Sequence, residues 1–476
     1  MDLKKSKQLL VYLTVIYWVF AVGIYVIAYP QFRYSPVTGE KLAADSVVGE
    51  ICDDQVYTQQ LISPCDVIET AAIMTGNYDR ENTGSLMISV RNGEDTLLAQ
   101  KLVLVSDFAN NEYTTISFDA PIEIGAGEDV VFEIRSRECT PGNAITIYVS
   151  GSMSSQKTTQ NHWLNEEEGR GTLCIQVNGH NNLGFYLTYL VIVAGAFVIL
   201  SLYTARCWKK TQKGIANPLA TLCVLYSRYS FLMKQLVARE FKQKYKRSAL
   251  GMAWSVMNPL LTMIVQYIVF STIFKSNISS YPVYLLTGIV FFAFFNEAVN
   301  AGMTAISGNA SLIKKVYMPK YIYPISRVVT SLVNFAMALI PLFLIVIVTR
   351  VPIKASMLLL IFDIVCFLMF IMGIALLLST VVTFFQDILH LWGVLCMMWQ
   401  YLTPIFYPET IIPVRFLGIY RLNPLYQFIT FARICIIDGI SPAPEAYFMC
   451  LFYAVGMLAI GAVVFKKYQN EFAFHL

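Results

Sequence analysis

Eight apolar runs divide the chain, at 9–29, 183–205, 253–274, 281–302, 322–349, 355–383, 388–407 and 447–465, each near the 20 or so residues that cross a hydrocarbon core. Between the first two the pattern changes period. Residues 30–182 carry seven short β-rich runs, at 67–74, 84–91, 97–105, 113–118, 130–135, 145–150 and 173–177, punctuated by Asn92-Gly93, the glycines of 125–127 and Pro141-Gly142. That spacing predicts an antiparallel β-sandwich, jelly-roll-like in arrangement. A third pattern occupies 233–247. Met233, Val237, Phe241 and Tyr245 recur every four residues beside Leu236, with cations on the other faces, which predicts an amphipathic helix lying in the headgroup layer. It runs into the apolar segment at 253, and the two read as one rigid piece. Between 405 and 435 the chain is apolar but broken by Pro408, Pro413 and Pro424, a pattern for short helices dipping into the outer leaflet. The expected fold is an α-helical multi-span membrane protein of eight spans with an inserted β-sandwich domain.

Composition removes the soluble alternatives. The 476 residues are 56% hydrophobic and 14% charged, and the mean hydropathy is +0.56. The net charge of +4 hides a segregation, with nine Lys/Arg against 22 Asp/Glu in 30–182 and a surplus of cations elsewhere. Residues 206–250 hold eleven Lys/Arg against the single acid Glu240, so the positive-inside rule places them in the cytoplasm. The same rule predicts both termini inside and 30–182 outside. The expected divisions are an anchor at 1–29, the extracytoplasmic domain at 30–182, a second span at 183–205, a basic linker at 206–230 and a six-span module at 231–476 with re-entrant helices near 408–435. Because Tyr29, Pro30, Gln31 and Phe32 follow the first apolar run, it reads as a retained span rather than a cleaved signal.

The candidate chemistry is sparse. The ten cysteines include no C-x-x-C or zinc spacing, so no metal site is expected. If the acidic domain faces an oxidising exterior, Cys52 with Cys65 and Cys139 with Cys174 are the favoured local pairings, four free thiols being the alternative. Tyr78, Tyr113, Tyr148 and Trp163 are candidates for stacking on sugar rings, weighed against ordinary packing roles. Glu297 and Arg327 fall within apolar runs and suggest a structural ion pair near the cytoplasmic interface. No G-x-x-x-x-G-K-[ST] loop occurs, so nucleotide chemistry requires a separate chain. Arg239, Lys242, Lys244, Tyr245, Lys246 and Arg247 of the amphipathic segment are candidates for lipid headgroups or a lipid-borne pyrophosphate.

Four stretches carry a family resemblance. They are 238–251 (AREFKQKYKRSALG) with Trp254 and Asn258-Pro259; 281–288 (YPVYLLTG); 308–320 (GNASLIKKVYMPK); and 384–390 (FFQDILH) with 403–408 (TPIFYP) and Asn423-Pro424-Leu425. From about Tyr229 onward the chain resembles the permease subunits of ABC-2 type exporters of O-antigen, capsule and teichoic acid. Gln386 stands where that family usually has an arginine, and residues 1–210 are absent from its typical members. The resemblance implies a homodimeric permease on two copies of an ABC ATPase, with ATP and Mg on the partner and none on this chain. It implies a lipid-linked polysaccharide as cargo and no nucleic acid. It makes Asn309, Ser311, Leu312, Lys314, Lys315, Tyr317 and Pro319 candidates for coupling to the ATPase. Tyr267, Phe291, Phe292, Phe295, Trp399, Tyr401, Phe406 and Tyr407 are candidates for the aromatic lining of a conduit. Alternatives are an ABC-2 exporter of another lipid or drug, a membrane enzyme acting on lipid-linked sugars, and a receptor.

Overall fold

A computed structural model describes residues 3–53, 55–151, 161–165, 167–212, 229–246, 251, 253–274, 280–315 and 318–475. The chain divides into two compact units, one of Phe32–Phe185 and one of Met1–Gln31 with Tyr186–Leu476.

In the first unit all seven β-rich runs are strands, and further strands join them. β1 (Tyr34–Thr38), β2 (Ser46–Val47), β4 (Val67–Gly76), β7 (Glu112–Glu123), β9 (Thr146–Ser150), β12 (Thr172–Leu173) and β13 (Ile175–Asn182) form one sheet in the order β1-β13-β4-β9-β12, with β2 on β9 and β7 on β4. β3 (Val56–Ile62), β5 (Ser85–Asn92), β6 (Leu97–Leu104), β8 (Asp129–Arg137), β10 (Asn161–Leu164) and β11 (Glu167–Arg170) form the other, in the order β11-β10-β3-β8-β5-β6. Every pairing is antiparallel. Period-2 alternation turns Tyr57, Leu61, Ile88, Val90, Phe132 and Ile134 of one sheet toward Ile68, Ala71, Ile73, Ile147 and Val177 of the other, giving a single buried core.

The unit's end is tied by Asp66. Its carboxylate accepts from the backbone N–H of Asn182 at 2.8 Å and of Ala126 at 3.0 Å, and these bonds hold its pKa below the usual carboxylate value. The stabilisation they give is present above the ordinary carboxylate range and is lost as pH falls through the lowered value. Hydrogen exchange at the Asn182 and Ala126 amides, corrected for intrinsic rate, is therefore expected to lose protection on acidification below about pH 4. Asp66→Asn is expected to remove that pH step.

The second unit is helical: α1 (Leu3–Arg33), α2 (Phe185–Gln212), α3 (Ser230–Tyr245), α4 (Ala253–Phe274), α5 (Tyr281–Met303), α6 (Ala310–Lys315), α7 (Ile322–Val348), α8 (Leu360–Phe384), α9 (Ile388–Leu402), α10 (Val414–Arg421), α11 (Pro424–Arg433), α12 (Pro444–Tyr468) and α13 (Phe472–His475). Among the described residues seven helices are long and apolar enough to cross a membrane: α1, α2, α4, α5, α7, α8 and α12. The expected eighth span is instead the 15-residue α9, about 22 Å long, because the chain leaves helical geometry at Thr403 ahead of Pro404. A bent strap at 403–407 follows it. The short helices expected around Pro413 and Pro424 are α10 and α11.

α1 and α2 are stitched by aromatic groups. The Tyr17 hydroxyl donates to Val193 O at 2.6 Å, the Tyr189 hydroxyl to Ala21 O at 2.8 Å, and Tyr25 stacks on Tyr189. α8 and α12 pack through glycine: a Cβ on Gly461 would lie 2.1 Å from Gly373 O, and one on Gly373 2.4 Å from the Met457 backbone. Only glycine permits that approach of two backbones. α3 and α4 are separate helices, with Gly251 at φ +51° between them, so the rigid continuous piece expected from the sequence is replaced by two.

Candidate functional site

The amphipathic helix α3 is fastened to the bundle by charge. Glu240, 8% exposed, forms an ion pair with Arg327 of α7, Nε to Oε1 3.1 Å, and accepts from the Thr330 hydroxyl at 3.0 Å. Lys244 Nζ reaches Glu297 Oε1 of α5 at 2.9 Å, and Asn334 Nδ2 of α7 donates to the same oxygen at 2.5 Å. Glu297 and Arg327 are thus not each other's partner; each takes an opposite charge from α3. Glu240, the single acid in 206–250, is what draws the helix onto α7. Between α3, α5 and α7 an open polar cleft of about 390 Å³ is lined by these side chains with Gln243 and Ser331. On another side of α3 an apolar groove of about 340 Å³ is lined by Met233, Val237, Phe241, Val329 and Val333 with Lys234.

Of the headgroup candidates, Arg239, Lys242 and Lys246 are exposed, whereas Lys244 is engaged by Glu297. Tyr245 is the last residue of α3, and Arg247 lies outside the described residues. The coupling candidates form a hairpin end between α5 and α7. Asn309 is buried and donates to Ala305 O at 2.8 Å, while Ser311 and Lys314 are exposed on α6. Leu312 and Lys315 belong to the same helix, Pro319 is half-buried, and Tyr317 lies outside the described residues. Ala305, Ile306 and Tyr323 pack with Leu376, Phe465 and Phe472, and Ile313 and Met318 lie against that cluster. Lys320 donates to Gln469 O at 2.6 Å. The hairpin is therefore seated on α8, α12 and α13.

Tyr281 and Glu297 lie at opposite ends of α5, and the Tyr281 end holds the strap. Tyr281 OH donates to Phe406 O at 2.7 Å, and Tyr284 OH to Tyr407 O at 2.9 Å and Pro404 O at 3.2 Å. Arg433 of α11, 6% exposed, donates from Nη1 to Pro404 O at 2.7 Å and from Nη2 to Ile405 O and Tyr284 O at 3.1 Å. Its guanidinium lies 3.4 Å from the Tyr284 ring centroid. Asn423 completes the clasp: its Oδ1 accepts from Trp399 Nε1 and caps α11 at Leu425 N, and its Nδ2 donates to the Thr403 hydroxyl. The strap thus carries the chain from the end of α9 to the Tyr281 end of α5.

The conduit candidates separate into two groups. Phe291, Phe292 and Phe295 are at most 6% exposed and pack on Phe335, Phe367, Phe370 and each other. They are core of this chain, a correction to their expected lining role, since they turn toward α7 and α8 while the accessible positions of α5 there include Ala293, Asn296 and Asn300. Tyr267, Tyr401, Phe406 and Tyr407 instead come together around the strap. Phe406 stacks on Phe270, Tyr401 lies 6.2 Å from Phe406, Tyr407 OH donates to Tyr401 O, and Tyr267 meets Tyr281. Tyr267 and Tyr401 are exposed, and Trp399 is half-buried against Phe295. The sequence reading missed Tyr281, Tyr284 and Arg433; an arginine in an apolar, proline-broken segment was the available signal.

In the β-unit, Tyr113 donates to Leu42 O and Tyr148 to Asn111 Oδ1, both on the seven-stranded sheet. Tyr78 sits at φ 57° in a turn with Arg80 over its ring, and Trp163 lies on the six-stranded sheet. Cys65, Cys139 and Cys174 are free buried thiols, so neither expected disulfide is formed. Cys139 faces Thr83 O and Arg137 O at the end of one sheet, while Cys174 lies in the other beside the Tyr113 hydroxyl. Burial pushes all three thiols up, Cys174 to about 11. Intact mass under non-reducing conditions is expected to show these thiols unoxidised, and alkylation of the folded chain at pH 8 is expected to be slow at all three until denaturant is added. Among the described residues no group of three His, Cys, Asp or Glu is placed to hold a metal ion.

Residues 232–437 match the ABC-2 type transporter family. Over 251 residues the chain is 30% identical to the O-antigen export system permease protein RfbA of Myxococcus xanthus, covering 52% of this chain and 95% of that protein. Over 254 residues it is 28% identical to a protein of the same description from Klebsiella pneumoniae, covering 51% of this chain and 93% of that one. A second Klebsiella pneumoniae protein of that description is 27% identical over 254 residues with the same coverage. The β-unit lies outside the matched family residues.

Proposed function

The chain belongs to the ABC-2 type transporter family, and on that premise we propose that it is the membrane-spanning permease of an ATP-driven exporter that moves a lipid-linked cell-surface polysaccharide. The observation that carries this reading is the alignment over 95% of an O-antigen export permease; the family match at 232–437 takes in α4, α5, α7, α8, α9 and the strap. Two copies of the chain act with two copies of a separate ABC ATPase, which holds ATP and Mg. The hairpin with Ser311 and Lys314 docks on that ATPase, and its seating on α8, α12 and α13 supports transmission into the spans. The termini and α3 face the cytoplasm, where Arg239, Lys242 and Lys246 meet anionic headgroups, and the β-unit faces outward. Tyr267 and Tyr401, exposed beside the strap, line the exit for sugar rings.

Co-purification with the neighbouring ATPase and reconstitution in liposomes tests the reading. Hydrolysis is expected to rise on adding lipid-linked glycan, and Lys314→Glu with Lys315→Glu is expected to weaken assembly and export together. If no ATPase associates, or hydrolysis ignores the glycan and the double variant exports normally, the proposal is wrong.

A further inference from the structure

The two sheets of the β-unit have unlike outer faces. On the seven-stranded sheet the outward side chains Ala72 and Gln176 are 2% and 5% exposed, because the segment before β2 lies over them: Gln176 Nε2 donates to Gly39 O and Tyr113 OH to Leu42 O. On the six-stranded sheet the outward side chains Gln100, Arg135 and Glu168 are exposed and Thr58 and Trp163 half-buried, while Ser89 and Glu133 between them are covered by their neighbours. Its register aligns one outward residue from each strand in a row perpendicular to the strands: Glu168 opposite Trp163, Trp163 opposite Thr58, Thr58 opposite Glu133, Glu133 opposite Ser89, and Ser89 opposite Gln100. Six strands at about 4.8 Å make this row about 24 Å long, roughly the length of four or five sugar rings.

The row is preorganised. Glu133, though outward-facing, is 7% exposed, because Arg91 Nε reaches it at 3.0 Å from one side and Arg135 Nε closes on its other oxygen. Gln100 Nε2 donates to Ser89 Oγ at 3.3 Å. Planar donors and acceptors are thus fixed at the middle of the row, and Trp163, the only tryptophan in 30–182, stands near one end. Four of the nine Lys/Arg of 30–182, Arg91, Arg135, Arg137 and Arg170, lie on this face. Glu133, Glu168 and Asp129 share it, so the face is near neutral in a domain that is acidic as a whole, and it repels an acidic polymer less than that total charge suggests.

We propose that this row is a saccharide-binding track, in which a ring stacks on Trp163 and successive hydroxyl or acidic groups bond to the Arg91–Glu133–Arg135 cluster and Gln100. The occupant is a stretch of the exported polymer, so the proposal rests on the permease reading. The test uses the full chain with its ATPase in lipid nanodiscs, titrated with lipid-free oligosaccharides released by mild acid from the surface polysaccharide of the source cells. Saturable binding is expected. Trp163→Ala is expected to weaken it about tenfold, and Gln100→Glu, at an exposed position away from the packing around Trp163, is expected to weaken it severalfold. Tyr148→Phe on the opposite sheet is expected to leave it unchanged. Fragments carrying carboxylate or phosphate are expected to bind more tightly than neutral ones, and the reverse order would overturn the charge argument. Absence of saturable binding, or unaltered affinity in both row variants, overturns the track. Fragment binding without ATP-driven export would leave the track standing and sink the permease reading; export without fragment binding does the opposite.

Discussion

Replacing Arg433 by methionine is expected to lower the thermal midpoint of the detergent-solubilised chain by about 10 °C and to free the strap at 403–407. The side chain satisfies the carbonyls of Tyr284, Pro404 and Ile405 in a space closed to water. A buried polar group left without a partner costs about 1–3 kcal/mol. Methionine removes the cost of burying the guanidinium charge but abandons three acceptors, so the net loss is about 3–5 kcal/mol. Arg433→Lys is expected to fall between, because an ammonium serves fewer of these carbonyls and offers no planar face to Tyr284. Tyr284→Phe, which removes only the hydroxyl bonded to Tyr407 O and Pro404 O, is expected to cost less than either. Differential scanning fluorimetry, with cysteine labelling at an introduced Thr403→Cys as a reporter of strap opening, separates these cases. A midpoint unchanged in Arg433→Met would show that the clasp is incidental.

Arg327→Glu is expected to reduce export by about 5- to 100-fold, the span of ordinary coupling energies, while the chain still inserts and assembles. The substitution sets a second carboxylate against Glu240 of α3, itself almost buried against α7, and drives α3 off the bundle. Glu240→Arg combined with Arg327→Glu is expected to restore most of the activity by reversing the pair, although Thr330 then loses its acceptor. The double-mutant cycle isolates the interaction from the two single losses. Lys244→Glu against Glu297 is expected to be weaker, because both side chains are more than 40% exposed and solvent screens the pair. Export and ATP hydrolysis measured in the same liposomes check this. Equal export by the single and double variants would mean that α3 is a passive anchor.

How far the site was legible follows from how local each signal is. The seven β-rich runs and the short helices around Pro413 and Pro424 were readable because period and proline act over neighbouring residues. Glu240 stood out as one acid among eleven cations, but its partners Arg327 and Thr330 lie 87 and 90 positions away in sequence. Glu297 and Arg327 suggest an ion pair because both fall within apolar runs, whereas each instead faces an opposite charge of α3. The phenylalanines of α5 are lining candidates through the family resemblance, and only their contacts with α7 and α8 show that they pack inside the chain.

The sequence by itself determined that this is a membrane protein, roughly where most of its apolar helices lie, that a β-sandwich is inserted between the first two, and that the C-terminal half is an ABC-2 permease. Those properties depend on hydropathy, period and short motifs, each written within a few tens of residues. The tertiary structure alone decided that 388–407 is a short helix and a clasped strap, that the thiols stay apart, that Arg433 closes the Tyr281 end, and that one sheet face aligns a polar row across its six strands. These depend on contacts between distant strands and helices, where burial and register, which no local pattern encodes, choose the partner.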